Sequence, residues 1–367
     1  IVSVEATSLR SDVVEPLRTL ATRETGCAPN LVWITVTHTF SSPHVRTPEH
    51  LASDGEREKN ALLRARLEEA AHTAVRQALE ALSEAELLVG NGATTCNVNR
   101  DVETPAGWWL GHNPQGYSDK RLQSICLRRI DTEEPIALLF TADVQSSVLD
   151  KARDAQGNKV VSGDLVGRVS TVAEKSLPGC VALFLTGSAA DQAPVEQAVT
   201  TQVDASGNVM QHDQGNGQEL LDVLGERFAA ELLDTLAHMV PVPCDTASGD
   251  VCAVRLPGQQ RGDFHSLRPQ RTYTYAPASD EEVQLNILRW GDVVLVGTEP
   301  ELSSSFGTQV RALAPHVVLA TLVNGAKKYL PSSDAYDRVT YEAMNSSFGR
   351  GADTVLFQAI SSAITNE

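Results

Sequence analysis

Hydrophobic positions along this chain recur in two periods, one suited to strands and one to helices. Ile1–Ala6 (IVSVEA) predicts a strand. From Ser11, a candidate helix cap, Val14, Leu17, Leu20 and Ala21 share one helical face, and Gly26 stands where such a helix would stop. The β-branched run in Leu31–Val36 predicts the next strand. The strongest helical signal spans Glu58–Glu86. Leu62, Leu63, Leu67, Ala70, Ala74, Ala78 and Leu82 form its expected apolar stripe, and His72 falls at its boundary or surface. Leu87–Val89 then starts a strand that is expected to run into a Gly- and Asn-rich loop, Gly90–Asn99.

Ile136–Phe140 and Val181–Leu185 are unbroken apolar runs, the pattern of strands covered on both faces. A polar stretch with a Gly157-Asn158 turn separates them, and Gln218–Met239 predicts a second long amphipathic helix. Val283–Leu288 and Val293–Val296 predict a strand pair around Trp290-Gly291-Asp292, and Val317–Val323 a last core strand. This alternation predicts an α/β chain, a mixed central sheet flanked by helices, with residues 1–367 as a single domain. Within it, 241–279, rich in Pro, Gly, Arg and Gln, is expected to be a lid or excursion.

Composition narrows the partners. At 367 residues and 42% hydrophobic, the chain can bury a sizeable core, and with 5% aromatics Val, Leu, Ile and Ala must fill it. A formal net charge of −17 argues against nucleic acid and anionic membranes. No apolar run is long enough to span a bilayer. The opening on a core strand at Ile1 leads to the expectation of an upstream segment, cleaved or carried by another chain, and of association with that chain or with a second copy. Six cysteines show no C-x-x-C spacing and are expected mainly as buried thiols. The compartment stays open, with the cytoplasm favoured.

Five segments could carry chemistry. They are His38 at the exit of a strand; Asn97, Asn99 and Arg100; Gly187–Pro194 with Asp191; Glu299 and Glu301; and Asn324–Pro331, with Lys327, Lys328 and Tyr329. Each alone has a plain reading as a turn, a cap or a solvated face. Together they supply an imidazole, a guanidinium, carboxylates and a phenol, enough to polarise a carbonyl or hold a metal and to move a proton.

The order and wording of these segments resemble the neutral ceramidases and their shorter bacterial relatives. The family's THTHSGP is similar to Thr37-His38-Thr39-Phe40-Ser41-Ser42-Pro43, its NINR to Asn97-Val98-Asn99-Arg100, and its NPDGPVD-like loop to Asn113 through Asp119. Its LFxxGxxGDxxP resembles Leu183 through Pro194, its PGE resembles Pro300-Glu301, and its final tyrosine-rich motif resembles Asn324 through Glu342. The resemblance implies a ceramidase-like catalytic fold, amide hydrolysis, and a zinc ion held by two histidines, a glutamate and a tyrosine. By position, His38, Glu301 and Tyr329 would be metal ligands. Arg100 would contact the substrate's oxygen, and Asp191 or Glu301 would move the proton. Asn99, Gln145 and Lys328 would face a small-molecule substrate.

The departures are equally specific. The family's second zinc histidine falls at Gln145, Phe40 replaces the second histidine of its HxH pair, and Ala193 stands where the larger ceramidases carry a serine. A neutral amide is a poor zinc ligand. In an extended segment Lys327 would share a face with Tyr329 while Lys328 points away. The Lys327 ammonium would then take over part of the metal's charge role; two solvated lysines are the alternative. Ceramide itself is not the expected substrate, because the chain ends soon after the last family motif. Two readings follow: a hydrolase of an amide in a small N-acyl compound, or a non-hydrolytic or metal-free homologue serving as a binding or regulatory protein or an altered enzyme.

Overall fold

The computed structural model describes residues 1–365. Its core is two mixed sheets stacked face to face. The first has the strand order Val240–Val242, Ala85–Ala93, Arg121–Arg129, Pro135–Ala142, Val181–Thr186. The second runs Ala247–Gln259, Pro277–Trp290, Val293–Thr298, Val317–Thr321. In both sheets the pairing is antiparallel until the last two strands, which are parallel. Each parallel pair needs a crossover, supplied by the helices Asp164–Ser176 and Ser304–Arg311.

Side chains alternate between layers with the period of the pleat. Leu138 and Phe140 face the helices Asp164–Ser176 and Gly217–Ala237, whereas Leu139 between them faces the other sheet. Val317 and Leu319 likewise pack toward the helices Ser304–Arg311 and Ala352–Thr365, whereas Val318 and Ala320 enter the layer between the sheets. The continuous apolar runs therefore are strands buried on both faces, and the α/β class holds, with the mixed sheet present twice.

A smaller unit pairs Val2–Val4 in parallel with Ile34–Val36 beneath the helices Ser11–Thr25 and Asp54–Glu80. The first of these helices ends on Gly26 in the left-handed region, φ 71°, as its position predicts. The second is displaced from expectation. A capping box between Ser53 and Glu56 starts it before Glu58, and its buried line is Ala71 and Val75, while Ala70, Ala74 and Ala78 face solvent. Small alanines on both faces made the stripe ambiguous by one position, about 100° of rotation.

Other boundaries shift too. Gly90–Asn99 is mostly strand, because Ala85–Ala93 and Asn97–Thr104 both continue through it. Cross-strand partners override weak local preference there. Only Val2–Val4 and Ile34–Val36 of the first two expected strands are paired, and Pro29–Leu31 forms a short 3₁₀ turn. Within 241–279, expected as an excursion, Ala247–Gln259 is a strand of the second sheet, and irregular backbone is limited to 243–246 and 260–276. All six cysteines are free, three of them exposed rather than buried. No helix among the described residues is long and apolar enough to cross a membrane.

Trp33 fills the space where the small unit meets the sheets and is fully buried. Gly297 makes room for it: a Cβ there would lie 3.0 Å from two atoms of the indole and 2.9 Å from Val323 Cγ1. Gly297→Val is expected to destabilise the fold by about 1–3 kcal/mol through overpacking. Gly55→Ala, in open space at a helix start, should cost nothing. Urea unfolding of both variants checks the contrast.

Candidate active site

Polar groups that cannot be held mid-strand collect where the strands end. His38 follows Ile34–Val36, Gln145 follows Pro135–Ala142, Asp191 follows Val181–Thr186, Glu301 follows Val293–Thr298 and Tyr329 follows Val317–Thr321. Carboxyl ends of strands joined by crossovers are where α/β folds open a crevice.

His38 is buried and sits at φ 55°, a left-handed conformation rare outside glycine. Its Nδ1 lies 2.5 Å from the carbonyl oxygen of Thr7, which can only accept, so Nδ1 carries a hydrogen. Phe40 stands edge-on to the imidazole at 4.9 Å between centroids, and its backbone N–H donates to Ser146, tying this loop to the one that holds Gln145.

Glu301 and Tyr329 are register partners in a two-residue parallel ladder, Glu301–Leu302 against Tyr329–Leu330, which sets their side chains beside each other. Glu301 Oε2 approaches His38 Nε2 to 3.0 Å without the alignment of a hydrogen bond. With Nδ1 already donating, the contact is cohesive only if a proton is shared between Nε2 and the carboxylate. Burial raises the pKa of Glu301, but the neighbouring His38 and then Arg100 overcome it, so the carboxyl is held below its usual range. Burial raises Tyr329 far above an ordinary phenol, with the Glu301 charge adding to the effect, so its hydroxyl stays neutral and can donate.

Arg100 reaches this group from a different sheet, Gly107–Asn113, Asn97–Thr104 and Gln192–Pro194. Pairing slips between Asn99 and Asp101, leaving Arg100 at a bulge that re-aims its side chain, with its N–H bound to the Asp191 carbonyl at 2.9 Å. Its Nε and Nη2 donate to Glu342 Oε1 at 2.9 and 2.7 Å, and Nη1 donates to Gln145 Oε1 at 2.8 Å. The guanidinium lies 5.5 Å from the centre of the Tyr329 ring. Burial opposes its charge, and Glu342 more than restores it. Asp101, also buried, is pushed well up by desolvation and by Glu342.

Asp191 and Asn99 line a cleft of about 760 Å³. The Asp191 carboxylate accepts from Ser304 N at 2.9 Å, Gln192 Nε2 at 3.1 Å and Asn99 Nδ2 at 3.4 Å. Burial still dominates and raises its pKa to about 6. Behind it, Arg311 binds both oxygens of Asp143 at 3.1 and 2.7 Å and Asp119 at 2.8 Å, and Ser304 Oγ closes the network on Asp143 at 2.8 Å.

His38, Arg100, Gln145, Glu301 and Tyr329 are thus brought together, with Asn99 and Asp191 at the adjoining cleft. The lysines are not part of that group. Lys327 donates to the Glu282 carbonyl and faces Glu281 at 3.9 Å. Lys328 is exposed at φ 56°, so the segment is not extended and strand alternation does not apply to it. Of Glu299 and Asn324, the first accepts from Gln284 N at 2.7 Å and the second bridges Ile34 N and Asn286, both tying strands together. Glu342, which holds Arg100, had no local signal beyond its place in the tyrosine-rich motif; an acid in the first turn of a helix reads as a dipole partner.

The donor set does not match a zinc site. Catalytic zinc takes three protein ligands. His38 and Glu301 are two, but at the position of the family's second histidine the one good donor of Gln145, its Oε1, is occupied by the Arg100 cation. No group of three His, Cys, Asp or Glu side chains converges among the described residues.

No protein-family model matches the chain, and no curated protein matches it in sequence. Solved structures do. The chain is similar to the neutral ceramidase from Pseudomonas aeruginosa, with a TM-score of 0.73 at 14% identity over 99% of this chain and 66% of that one. It is also similar to a structure titled ceramidase complexed with C2, with a TM-score of 0.70 at 14% identity and the same coverage. The chain therefore has a ceramidase-like fold and spans just under two thirds of the length of those structures.

Two outcomes follow from the site's electrostatics. Arg311→Leu strands the buried Asp143 carboxylate, unpairs the half-buried Asp119 and should cost about 3–5 kcal/mol. Arg350→Leu, which breaks an exposed pair with Asp337 and a cation–π contact with Tyr336, should cost about 1 kcal/mol by chemical denaturation. Because Asp191 has a folded pKa of about 6 against an ordinary 3.8, the folded protein keeps a proton that the unfolded chain has lost between those values. Its contribution to stability is thus full below the lower value and is lost as pH rises toward the upper one. Asp191→Asn should remove that part of the slope in a pH series of denaturation midpoints.

Proposed function

We propose that the chain is an amide hydrolase acting on small N-acyl compounds, with the acyl carbonyl directed at Arg100 and Tyr329. The observation that carries this reading is a buried guanidinium packed on a neutral phenol and joined, through the bond from Arg100 N–H to the Asp191 carbonyl, to a residue whose cleft-lining carboxyl has a pKa of about 6. Likeness of fold to ceramidases is consistent with it.

In the reaction, Asp191 in its ionised form takes a proton from a water in the cleft as the oxygen adds to the carbonyl. Arg100 and the Tyr329 hydroxyl donate to the developing oxyanion. They act in a site shielded from water, where such donors are worth most. Glu342 and Gln145 hold the guanidinium in place beforehand, so little reorganisation is needed. The Glu301 carboxylate, paired with His38, lies next to the phenol and disfavours its ionisation, keeping it a donor. Asp191 then returns its proton to the departing nitrogen, so the amine leaves neutral while the acid forms. No step passes through zinc, in keeping with the donor set.

Assay of the purified protein against a panel of short N-acyl amides tests the reading. Wild-type turnover is expected to survive dialysis against a chelator. Its kcat/KM should rise with pH through about 6, as Asp191 gives up its proton and becomes a base. Asp191→Asn should lose about 10²–10⁴-fold of the rate, and Tyr329→Phe or Arg100→Lys about 10²–10³-fold. Absence of turnover on every member of the panel, or an Asp191→Asn variant as fast as wild type, would overturn the proposal and favour the binding-protein reading.

A further inference from the structure

The lining of the cleft bears on the amine half of the substrate. Asp191, Glu103 and Asp334 bring three carboxylates to its wall against a single cation, Arg338. That cation is already spent. Arg338 Nε and Nη2 bind Asp334 at 3.1 and 3.0 Å, and Nη1 reaches the buried Asp101 at 3.3 Å. Glu103 is exposed, and its one partner is an equally exposed Arg271 at 3.7 Å, too loose and too wet to neutralise it. The aromatic surface in the wall, Trp108 and Tyr117, suits a cation as well, since Trp108 already carries the Arg338 guanidinium 5.0 Å from its ring centre. Lipid chains need a wall of aliphatic side chains, and this wall has one, Val102, among carboxylates, amides, hydroxyls and aromatic rings.

We infer that the cleft selects N-acyl compounds whose amine half carries a second, positively charged nitrogen, rather than acylated lipids or acylated anions. The inference rests on the hydrolase reading for the bond that is cut, but the charge preference is a property of the wall and extends to the free amine. Glu103, at the rim and away from Arg100 and Tyr329, is its specificity-determining residue. The field of the cleft also fits the chain's net charge of −17, which draws cations toward the protein before they dock.

The test compares N-acetylputrescine with its neutral isostere N-acetylbutylamine, with N-acetylglutamate and with N-lauroylethanolamine. Nα-acetyl-lysinamide is included to separate a simple diamine from a basic amino acid. Wild type should hydrolyse the cationic amides at least about fivefold faster in kcat/KM than the neutral isostere at low salt, the effect of one nearby charge at high effective dielectric. The preference should shrink in concentrated salt and should reverse in Glu103→Lys. Equal or faster turnover of the neutral, anionic or lauroyl compound overturns the inference while leaving the hydrolase reading intact. Should no amide be cut, calorimetry with putrescine itself decides. Binding that is lost in Glu103→Lys upholds the cationic site without the hydrolase, and the absence of binding by wild type overturns it.

Discussion

Two sheets laid against each other, each roofed by helices on its outer face, leave little wet surface to strands such as Pro135–Ala142 and Val317–Thr321. That constraint shapes everything else in the molecule. A residue in mid-strand faces either the helices or the opposite sheet, so both parities of Pro135–Ala142 and Val317–Thr321 are apolar. Charged groups have no place within such strands unless they are paired. They accumulate past the strand ends, in the loops that lead to the crossovers, and there they meet groups delivered from other elements.

The site that results is dry and crowded with charge, and its parts are held by one another. Arg100 would be costly alone in the interior, but Glu342 and Gln145 meet it from a helix start and a strand exit far apart in the chain. His38 and Glu301 face each other at 3.0 Å, and Arg311 is hydrogen-bonded to Asp143 and Asp119. The same desolvation that makes these pairs necessary raises Asp191 toward neutrality and keeps Tyr329 protonated. Stability and the proposed chemistry therefore draw on one source: carboxyls and a phenol pulled out of water, with guanidinium groups placed to hold what remains charged.

At the position that the ceramidase resemblance assigns to a second zinc histidine, Gln145 offers its oxygen to Arg100. The one good donor of that side chain is thereby engaged by a guanidinium of the protein itself. Lys327, expected on the face of Tyr329, is turned away from it, because the left-handed residue Lys328 breaks the extended course, and Lys327 meets Glu281 and the Glu282 carbonyl instead.

The features legible from the residues alone were local and periodic. Doubly apolar runs marked the buried strands, Gly26 marked a helix end, and the ordered motifs from His38 to Glu342 marked most of the residues that meet. Where local signals were weak, they misled. Alanines on both faces blurred the Asp54–Glu80 helix by one position, and Gly and Asn between 90 and 99 read as loop although their backbones pair in strands. Tertiary structure alone decided that the sheet occurs twice, that a bulge turns Arg100 inward, and that Glu342 clamps it. The reason is physical: periodicity records which face of an element avoids water, whereas register slips and charge partners depend on contacts between residues hundreds of positions apart, which leave no periodic trace.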